Sequence, residues 1–151
     1  MSGIVIVDTR VFLNVLNVPG FNQDREADLA RFRELIEAGA NLLLPIAAIF
    51  EAGNHIAQLG DGRQRRRYAE AFRDRVREAL AGQAPWTPIR LPDDRELADW
   101  LDDFPDSAMR GAGMGDLSIV KAWERTCTQH PHRRVTIWSH DQDLAGYDRR
   151  T

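Results

Sequence analysis

The chain has 151 residues, of which 43% are hydrophobic and 28% are charged, and it carries a formal net charge of -3. This length and apolar content suit one domain with a sizeable core, predicted to span residues 1–151, because no linker rich in Ser, Gly or Pro divides it. The slightly acidic balance excludes a basic coat protein of nucleic acid, and the lack of a membrane-length apolar run or a signal peptide predicts a cytoplasmic location.

Strand and helix signals alternate from the first residues onward. The short β-branched run Ile4 to Val7 is typical of a parallel strand covered on both faces. A short helix is predicted over Arg10 to Leu16, and an amphipathic helix over Arg25 to Ala38, with Gly39 as its C-terminal stop. The second strand is predicted at Asn41 to Leu44.

The middle of the chain predicts two helices and a weaker strand. The helices cover Ile46 to Leu59 and Arg63 to Ala81, and the second has one apolar face and one strongly charged face. Thr87 to Leu91 is predicted as an edge strand, because Pro88 within it and Pro92 after it do not suit a central position.

The last third continues the alternation. It predicts a helix that ends at about Asp103, a glycine-rich loop over Arg110 to Gly115 that forms a flexible approach, and a helix that opens at Asp116. The fourth strand is predicted at Arg134 to Trp138. Repeated units of this kind predict an α/β fold in which helical layers cover both faces of a mainly parallel sheet of about four or five strands.

Four acids lie beside or within hydrophobic segments: Asp8, Glu51, Asp116 and Asp141. Asp8 and Asp141 each follow a predicted strand, and ligands of open α/β sheets gather beyond the carboxyl ends of the strands. Glu51 and Asp116 can reach the same crevice from flanking helices. A carboxylate in such a position is costly unless it is paired, caps a helix or holds a cation. The joint pattern therefore predicts a metal site.

Each acid also has a structural explanation of its own. Asp8 and Asp116 could each cap a helix, because Asp is a common N-cap residue. Glu51 could pair with a neighbouring cation or face solvent, and Asp141 could be an ordinary turn residue. Independent capping gives no reason for all four acids to fall at the same end of one sheet.

The order of these segments resembles the PIN-domain family of metal-dependent nucleases, including the VapC-type toxins of type II toxin-antitoxin systems. The matching segments are Ile6 to Thr9, Phe50 to Ala52, Gly115 to Ala122 and Ile137 to Leu144. Together they extend over nearly the whole chain. The resemblance implies a three-layer α/β/α PIN-like domain.

The resemblance also implies an acidic pocket that holds one or two Mg2+ or Mn2+ ions. Its catalytic acids would be Asp8, Glu51, Asp116 and Asp141, and its metal ligands would be Asp8, Asp116, Asp141 and Asp143. Asp143 would be an extra or water-mediated ligand, and Thr9 and Ser139 would fix the pocket by hydrogen bonding. The chain departs from the family pattern at Arg10, where Asn is frequent, and at Leu144, where an aromatic residue is common.

The implied activity is metal-dependent hydrolysis of RNA phosphodiester bonds, leaving a 5'-phosphate. As a toxin, the protein would form a homodimer and bind a cognate antitoxin that covers the acidic crevice. The alternatives are a housekeeping RNA-processing nuclease, a non-catalytic interaction module and a phosphoryl-transfer protein that uses Asp8 as its acceptor.

Other residues carry weaker signals. Arg66, Arg73 and Arg77 share one exposed helix face, where they could contact RNA or form ordinary ion pairs along a solvated helix. Cys127 is predicted to be a buried structural thiol. His140 is predicted to be a bystander beside Asp141, because the histidines have no zinc-ligand spacing.

Overall fold

A computed structural model describes residues 2–151 as a five-stranded sheet covered by helices. The strands are β1 (Ile4–Val7), β2 (Asn41–Leu44), β3 (Trp86–Pro88), β4 (Val135–Trp138) and β5 (Asp148–Arg149). The helices are α1 (Thr9–Val15), α2 (Arg25–Glu37), α3 (Ile46–Ala57), α4 (Gly62–Leu80), α5 (Asp94–Met109), α6 (Met114–Gln129) and α7 (Gln142–Ala145). None of these helices combines the length and the apolar character needed to cross a membrane.

The strands lie in the order β3-β2-β1-β4-β5, so β1 is central. Strands β2 and β4 flank β1 and run parallel to it, β3 runs parallel to β2, and β5 runs antiparallel to β4. The predicted mainly parallel sheet is therefore confirmed. The short antiparallel β5 provides one edge.

Alternate residues of β1 point to opposite faces of the sheet, as the strand repeat requires. Val5 and Val7 pack into one hydrophobic cluster, whereas Ile4 and Ile6 pack into a second. Each cluster also contains side chains of helices that pack against that face of the sheet. This division confirms the three-layer α/β/α arrangement.

The larger cluster is organised around Phe12 of α1, which is fully buried. The Phe12 ring meets the Trp86 ring edge-on at a centroid distance of 5.3 Å and the tilted Phe72 ring at 6.2 Å. These contacts tie α1, which directly follows Asp8, to β3 and α4. The backbone after Asp8 thus rests on well-packed aromatic core.

The prediction for the third strand is correct in position and wrong in extent. β3 occupies Trp86–Pro88 at the sheet edge instead of Thr87 to Leu91. Trp86 is buried among the rings of Phe12 and Phe32 and pairs with β2. The strand therefore begins one residue before its predicted start at Thr87.

The helix predicted to end at about Asp103 continues to Met109, with Pro105 inside it. Proline removes one helical hydrogen bond but does not prevent the chain from continuing as a helix. The end comes instead at Gly111, whose φ of +84° marks the usual left-handed turn after a helix. Gly39, with φ of +73°, ends α2 in the same way, as predicted.

Candidate active site

A crevice of about 330 Å3 lies at the carboxyl edge of the sheet, beside the ends of β1 and β4. Its lining includes all four acids that the sequence singled out: Asp8, Glu51, Asp116 and Asp141. They come from the end of β1, from α3, from the first turn of α6 and from the loop after β4. The fold thus gathers residues that are up to 133 positions apart, which is the interval from 8 to 141.

Asp8 is the most deeply placed of these acids, with an exposed fraction of 7%. Its Oδ1 accepts a hydrogen bond from the Thr9 backbone N–H at 2.7 Å, and its Oδ2 accepts one from the Ser139 hydroxyl at 2.5 Å. Its own N–H donates to the Trp138 carbonyl at 3.0 Å. Each carboxylate oxygen thus has a hydrogen-bond donor, which offsets part of the cost of burial.

Glu51 reaches the crevice from the buried side of α3. The Thr9 hydroxyl donates to its Oε2 at 2.8 Å. Its Oε1 lies against Gly115, so close that a Cβ on residue 115 would stand only 2.1 Å from this oxygen. The position of Glu51 therefore leaves no room for a side chain at Gly115. The sequence analysis missed this constraint because it predicted Gly115 as part of a flexible loop.

Asp116 lies in the first turn of α6, which begins two residues earlier than predicted, at Met114. Burial raises the pKa of Asp116 to about 6, with further contributions from the negative charges of Asp8, Asp141, Glu51 and Asp143, in that order. The side chain of Asp116 makes no hydrogen bond within residues 2–151. Its carboxylate is thus held close to other carboxylates with no cationic partner.

Asp141 and Asp143 belong to the short segment after β4. The Asp141 Oδ1 accepts a hydrogen bond from the Asp143 N–H at 2.9 Å, and the Asp141 N–H donates to the Ser139 hydroxyl oxygen at 2.9 Å. Ser139 therefore bridges Asp141 and Asp8. Asp143 is absent from the lining of the acidic crevice and lines a neighbouring cavity together with Asp116.

The capping explanation, offered for Asp8 and Asp116, holds for Asp8 and fails for Asp116, while Asp141 is a cap and not only a turn residue. Asp8 is the N-cap of α1 and Asp141 is the N-cap of α7. Asp116 is not a cap, because Gly113 occupies that position without a side-chain hydrogen bond. Capping uses only one Asp141 oxygen. The other accepts no hydrogen bond in the described part of the chain, so it remains available to a ligand.

His140, which was predicted to be a bystander to metal binding by Asp141, has a specific partner of its own. Its Nε2 lies 2.7 and 3.0 Å from the two carboxylate oxygens of Asp28, on α2. The Asp28 side chain is only 4% exposed, and its burial raises its pKa even though His140 acts in the opposite direction. The contact with Asp28 fixes the position of His140, which lies between Ser139 and Asp141 in the chain.

His140 lines the crevice, and so do two other residues that the sequence analysis did not place in the site. They are Arg10 and His55, and both contact the Phe21 ring. The Arg10 guanidinium lies over the Phe21 ring at 5.7 Å, while the His55 ring contacts its tilted face at 4.6 Å. The signal for Arg10 was its position directly after Asp8-Thr9, at the start of the first helix.

The basic residues predicted as possible RNA contacts lie elsewhere. Arg66 and Arg73 line an open groove between α3 and α4, and Arg77 is exposed one helical turn beyond Arg73. Arg66 pairs with Glu70 at 3.0 Å and Arg73 with Asp74 at 3.0 Å, all on the solvent side. None of the three arginines lines the acidic crevice.

The donor set in the crevice fits a hard divalent cation. All four acids offer oxygen, which Mg2+ and Mn2+ prefer. Asp116, the Glu51 Oε1 and one Asp141 oxygen accept no hydrogen bond from residues 2–151, so they are available as ligands. No three His, Cys, Asp or Glu side chains in this range converge closely enough to enclose an ion as they stand. Binding would therefore draw mutually repelling carboxylates inward.

The burial of Asp116, together with repulsion from the neighbouring carboxylates, predicts that Asp116→Asn stabilises the metal-free protein. The folded-state pKa of about 6 exceeds the ordinary 3.8, so the charged carboxylate destabilises the fold fully above pH 6, and the penalty disappears as the pH falls below 4. After allowance for partial solvent screening and for the lost favourable charge at a helix N-terminus, the expected gain at pH 8 is about 1 kcal/mol.

The measurement is urea unfolding in EDTA at pH 8 and at pH 4. Asp99→Asn, which removes an exposed acid from α5, serves as the control and should change the unfolding free energy little at either pH. If Asp116→Asn were equally or less stable than the native protein at pH 8, the charge of Asp116 would not destabilise the fold.

Solved structures with the same fold support the family resemblance at the level of architecture. The crystal structure of FitAcB from Neisseria gonorrhoeae aligns with a TM-score of 0.60 at 20% identity, covering 95% of this chain and 91% of that chain. A structure of FitAB bound to an IR36 DNA fragment aligns with a TM-score of 0.59 at 19% identity, covering 95% and 89%. No protein-family model and no curated protein matches the chain. The three-layer PIN-like fold is thus confirmed.

Proposed function

We propose that the chain is a Mg2+- or Mn2+-dependent endoribonuclease and the toxin of a type II toxin-antitoxin pair. The observation that carries the proposal is the convergence of Asp8, Glu51, Asp116 and Asp141 on one crevice at the carboxyl edge of the sheet. The fold shared with FitAcB and FitAB supports the toxin assignment.

The proposed reaction adds water to phosphorus and breaks the bond from phosphorus to the 3'-oxygen, which leaves with a proton as a hydroxyl. Such a site would hold a Mg2+ or Mn2+ ion, which would acidify a water molecule and offset negative charge on the phosphate. Asp8, Asp116 and Asp141 would hold the ion, and the neighbouring Glu51 would complete the catalytic carboxylates. The products are a 3'-hydroxyl and a 5'-phosphate.

The hydroxyls of Thr9 and Ser139 would act as positioning groups. The Thr9 hydroxyl donates to the Glu51 Oε2 and the Ser139 hydroxyl donates to the Asp8 Oδ2, which would hold both carboxylates in place at the crevice. Hydrogen bonds of this kind fix ligand geometry before the ion binds. Asp143, which the family resemblance implies is an extra or water-mediated ligand, lines the neighbouring cavity and not this crevice, so we do not count it among the ligands of the ion.

The proposed partners follow from the charge of the crevice. An RNA phosphate meets repulsion from the acids unless a cation or a nearby guanidinium, such as that of Arg10, offsets it. A cognate antitoxin would cover the same crevice with a peptide whose Arg pairs with these carboxylates. The proposal also includes a homodimer and a cytoplasmic location.

The primary test compares the native protein with Asp116→Asn on a panel of structured RNAs in Mg2+ or Mn2+. We expect cleavage by the native protein with 5'-phosphate products, a loss of at least about 100-fold in the variant, and no cleavage in EDTA. Metal binding by a native protein that cuts no RNA would favour an interaction module, and 2',3'-cyclic phosphate ends would contradict the hydrolytic mechanism.

RNA contact by the basic face of α4 is a separate prediction. Replacing both Arg66 and Arg73 with Ala should weaken RNA binding and reduce the slope of log affinity against log salt by about 1 to 2, since each lost phosphate contact contributes about 0.7 to 0.9. Filter binding from 50 to 300 mM salt measures the slope. The matched control replaces Arg31 and Arg33, two exposed arginines of α2; equal effects in both double variants would indicate nonspecific charge.

A further inference from the structure

A second cavity, of about 210 Å3, adjoins the acidic crevice and shares Asp116 with it. Leu117 and Val120 of α6 form part of its apolar lining. Leu144 of α7 and Tyr147, two residues after that helix, complete it. Arg110 and Asp143 are the charged residues that line it besides Asp116. The lining of the cavity therefore combines apolar side chains with charged groups of both signs.

The walls of this cavity are firmly supported. Leu117 and Leu144 are buried in the packed interior. The Tyr147 ring meets the Trp123 ring edge-on at 5.2 Å, and the Trp123 indole N–H donates to the Val135 carbonyl at 2.9 Å. A fixed aromatic ring and aliphatic side chains form the kind of surface on which unstacked nucleic-acid bases bind.

The two charged groups outside the crevice are both available to a ligand. The Arg110 side chain is exposed and makes no hydrogen bond or ion pair in the part of the chain that the structure describes. The Asp143 carboxylate is likewise without a hydrogen-bond partner there, and Asp143 lines this cavity and not the acidic crevice. A cation left unpaired so close to several acids is unusual, because Coulomb attraction favours pairing.

Guanine matches this combination better than the other bases. Its O6 and N7 are acceptors that a guanidinium binds with two hydrogen bonds, and its N1–H and N2–H2 are donors that suit a carboxylate. Adenine presents an amino donor beside N7, which opposes Arg, and has no N1–H. The pyrimidines offer less apolar surface to the walls.

We propose that this cavity binds the guanine base of a nucleotide adjoining the phosphate at Asp116, with Arg110 and Asp143 reading its two polar edges. The inference rests on the proposed RNA cleavage and names the base preference of that site. It assigns Asp143 a specificity role in place of metal binding.

The test uses short single-stranded RNAs with one guanine placed in turn at each position flanking a fixed scissile bond, and matched RNAs with adenine or inosine there. We expect the native protein to favour guanine over adenine by about tenfold at one position, in line with one bidentate base contact. Arg110→Ala should remove this preference without an equal loss on the adenine RNA. Asp143→Asn should remove the preference for guanine over inosine, which lacks the 2-amino group. Arg33→Ala is the control and should retain both preferences.

Binding of the same RNAs to the native protein, followed by Trp fluorescence, separates this inference from the proposed function. If no RNA is cleaved but guanine RNA binds about tenfold tighter and Arg110→Ala removes the difference, the base site stands and the nuclease proposal falls. Cleavage or binding that is indifferent to the base at every position overturns the base site. If Asp143→Asn reduced cleavage of all the RNAs equally, Asp143 would be a metal ligand and not a specificity residue.

Discussion

Gly115→Ala is expected to reduce metal-dependent RNA cleavage about 100-fold while leaving the fold intact. A Cβ at this position would lie 2.1 Å from the Glu51 Oε1, so Glu51 must turn away. The atom that moves is the far end of a flexible side chain, whereas the helix itself can accept Ala, which favours helix formation. A displacement of about 1 Å in a catalytic group is enough for a loss of this size. Steady-state cleavage rates and thermal unfolding of the same samples measure both effects.

Two controls isolate the contact with Glu51. Gly113→Ala adds the same methyl group two residues earlier, where nothing lies within 4 Å of the new Cβ, and it should retain cleavage. Glu51→Gln should be as impaired as Gly115→Ala, and the double variant should be no worse than either single one, because both remove the same carboxylate from its place. Additive losses would show that Gly115 acts by another route.

His140→Ala is expected to lower the free energy of unfolding by about 2 kcal/mol at pH 8. The variant leaves the Asp28 carboxylate buried without the ring that contacts both of its oxygens. Breaking a fully buried pair costs roughly 3 to 5 kcal/mol, and the partial exposure of His140 reduces that figure. Urea unfolding measures the loss, and His132→Ala, in an exposed turn, is the matched control.

The cost of the buried Asp28 charge has a pH dependence of definite sign. Burial raises the folded-state pKa of Asp28 above its unfolded value, so the cost of its charge is fully present at high pH and is lost as the pH falls through the folded pKa toward the ordinary 3.8. Adding Asp28→Asn to His140→Ala should therefore recover stability at pH 8 and recover less at pH 4, where the buried carboxyl group is protonated. A recovery that is the same at both pH values would contradict the buried-charge explanation.

The sequence was sufficient to predict residues whose role follows from local pattern. A β-branched run that ends in Asp8 predicts a central strand with an acid at its carboxyl end, and Asp141 follows by the same argument. Glu51 was predicted to reach the crevice from a flanking helix, and α3 places it there. These features depend on neighbours within a few residues, which is the range over which hydrophobic periodicity is informative.

The contacts that the sequence could not predict join distant segments. Asp28 resembles an ordinary acid on the polar face of an amphipathic helix, yet it is buried because His140, 112 residues away, covers it. Gly115 resembles a loop glycine, and only the approach of Glu51 explains the missing Cβ. Neither contact leaves a periodic signal, because each depends on how separate elements pack.

The central strand β1 pairs on one side with β2 and on the other with β4, which comes near the end of the chain. Ile4 pairs with Asn41 early in the chain but also with Val135, and Asp8 and Ser139, which are joined by a hydrogen bond, are 131 residues apart. Closing so long a loop is slow and cannot precede the arrival of its second end. A growing chain on the ribosome therefore has no assembled crevice until β4 and Asp141 have been made. If the crevice cleaves RNA, the unfinished protein is unable to attack the message that encodes it.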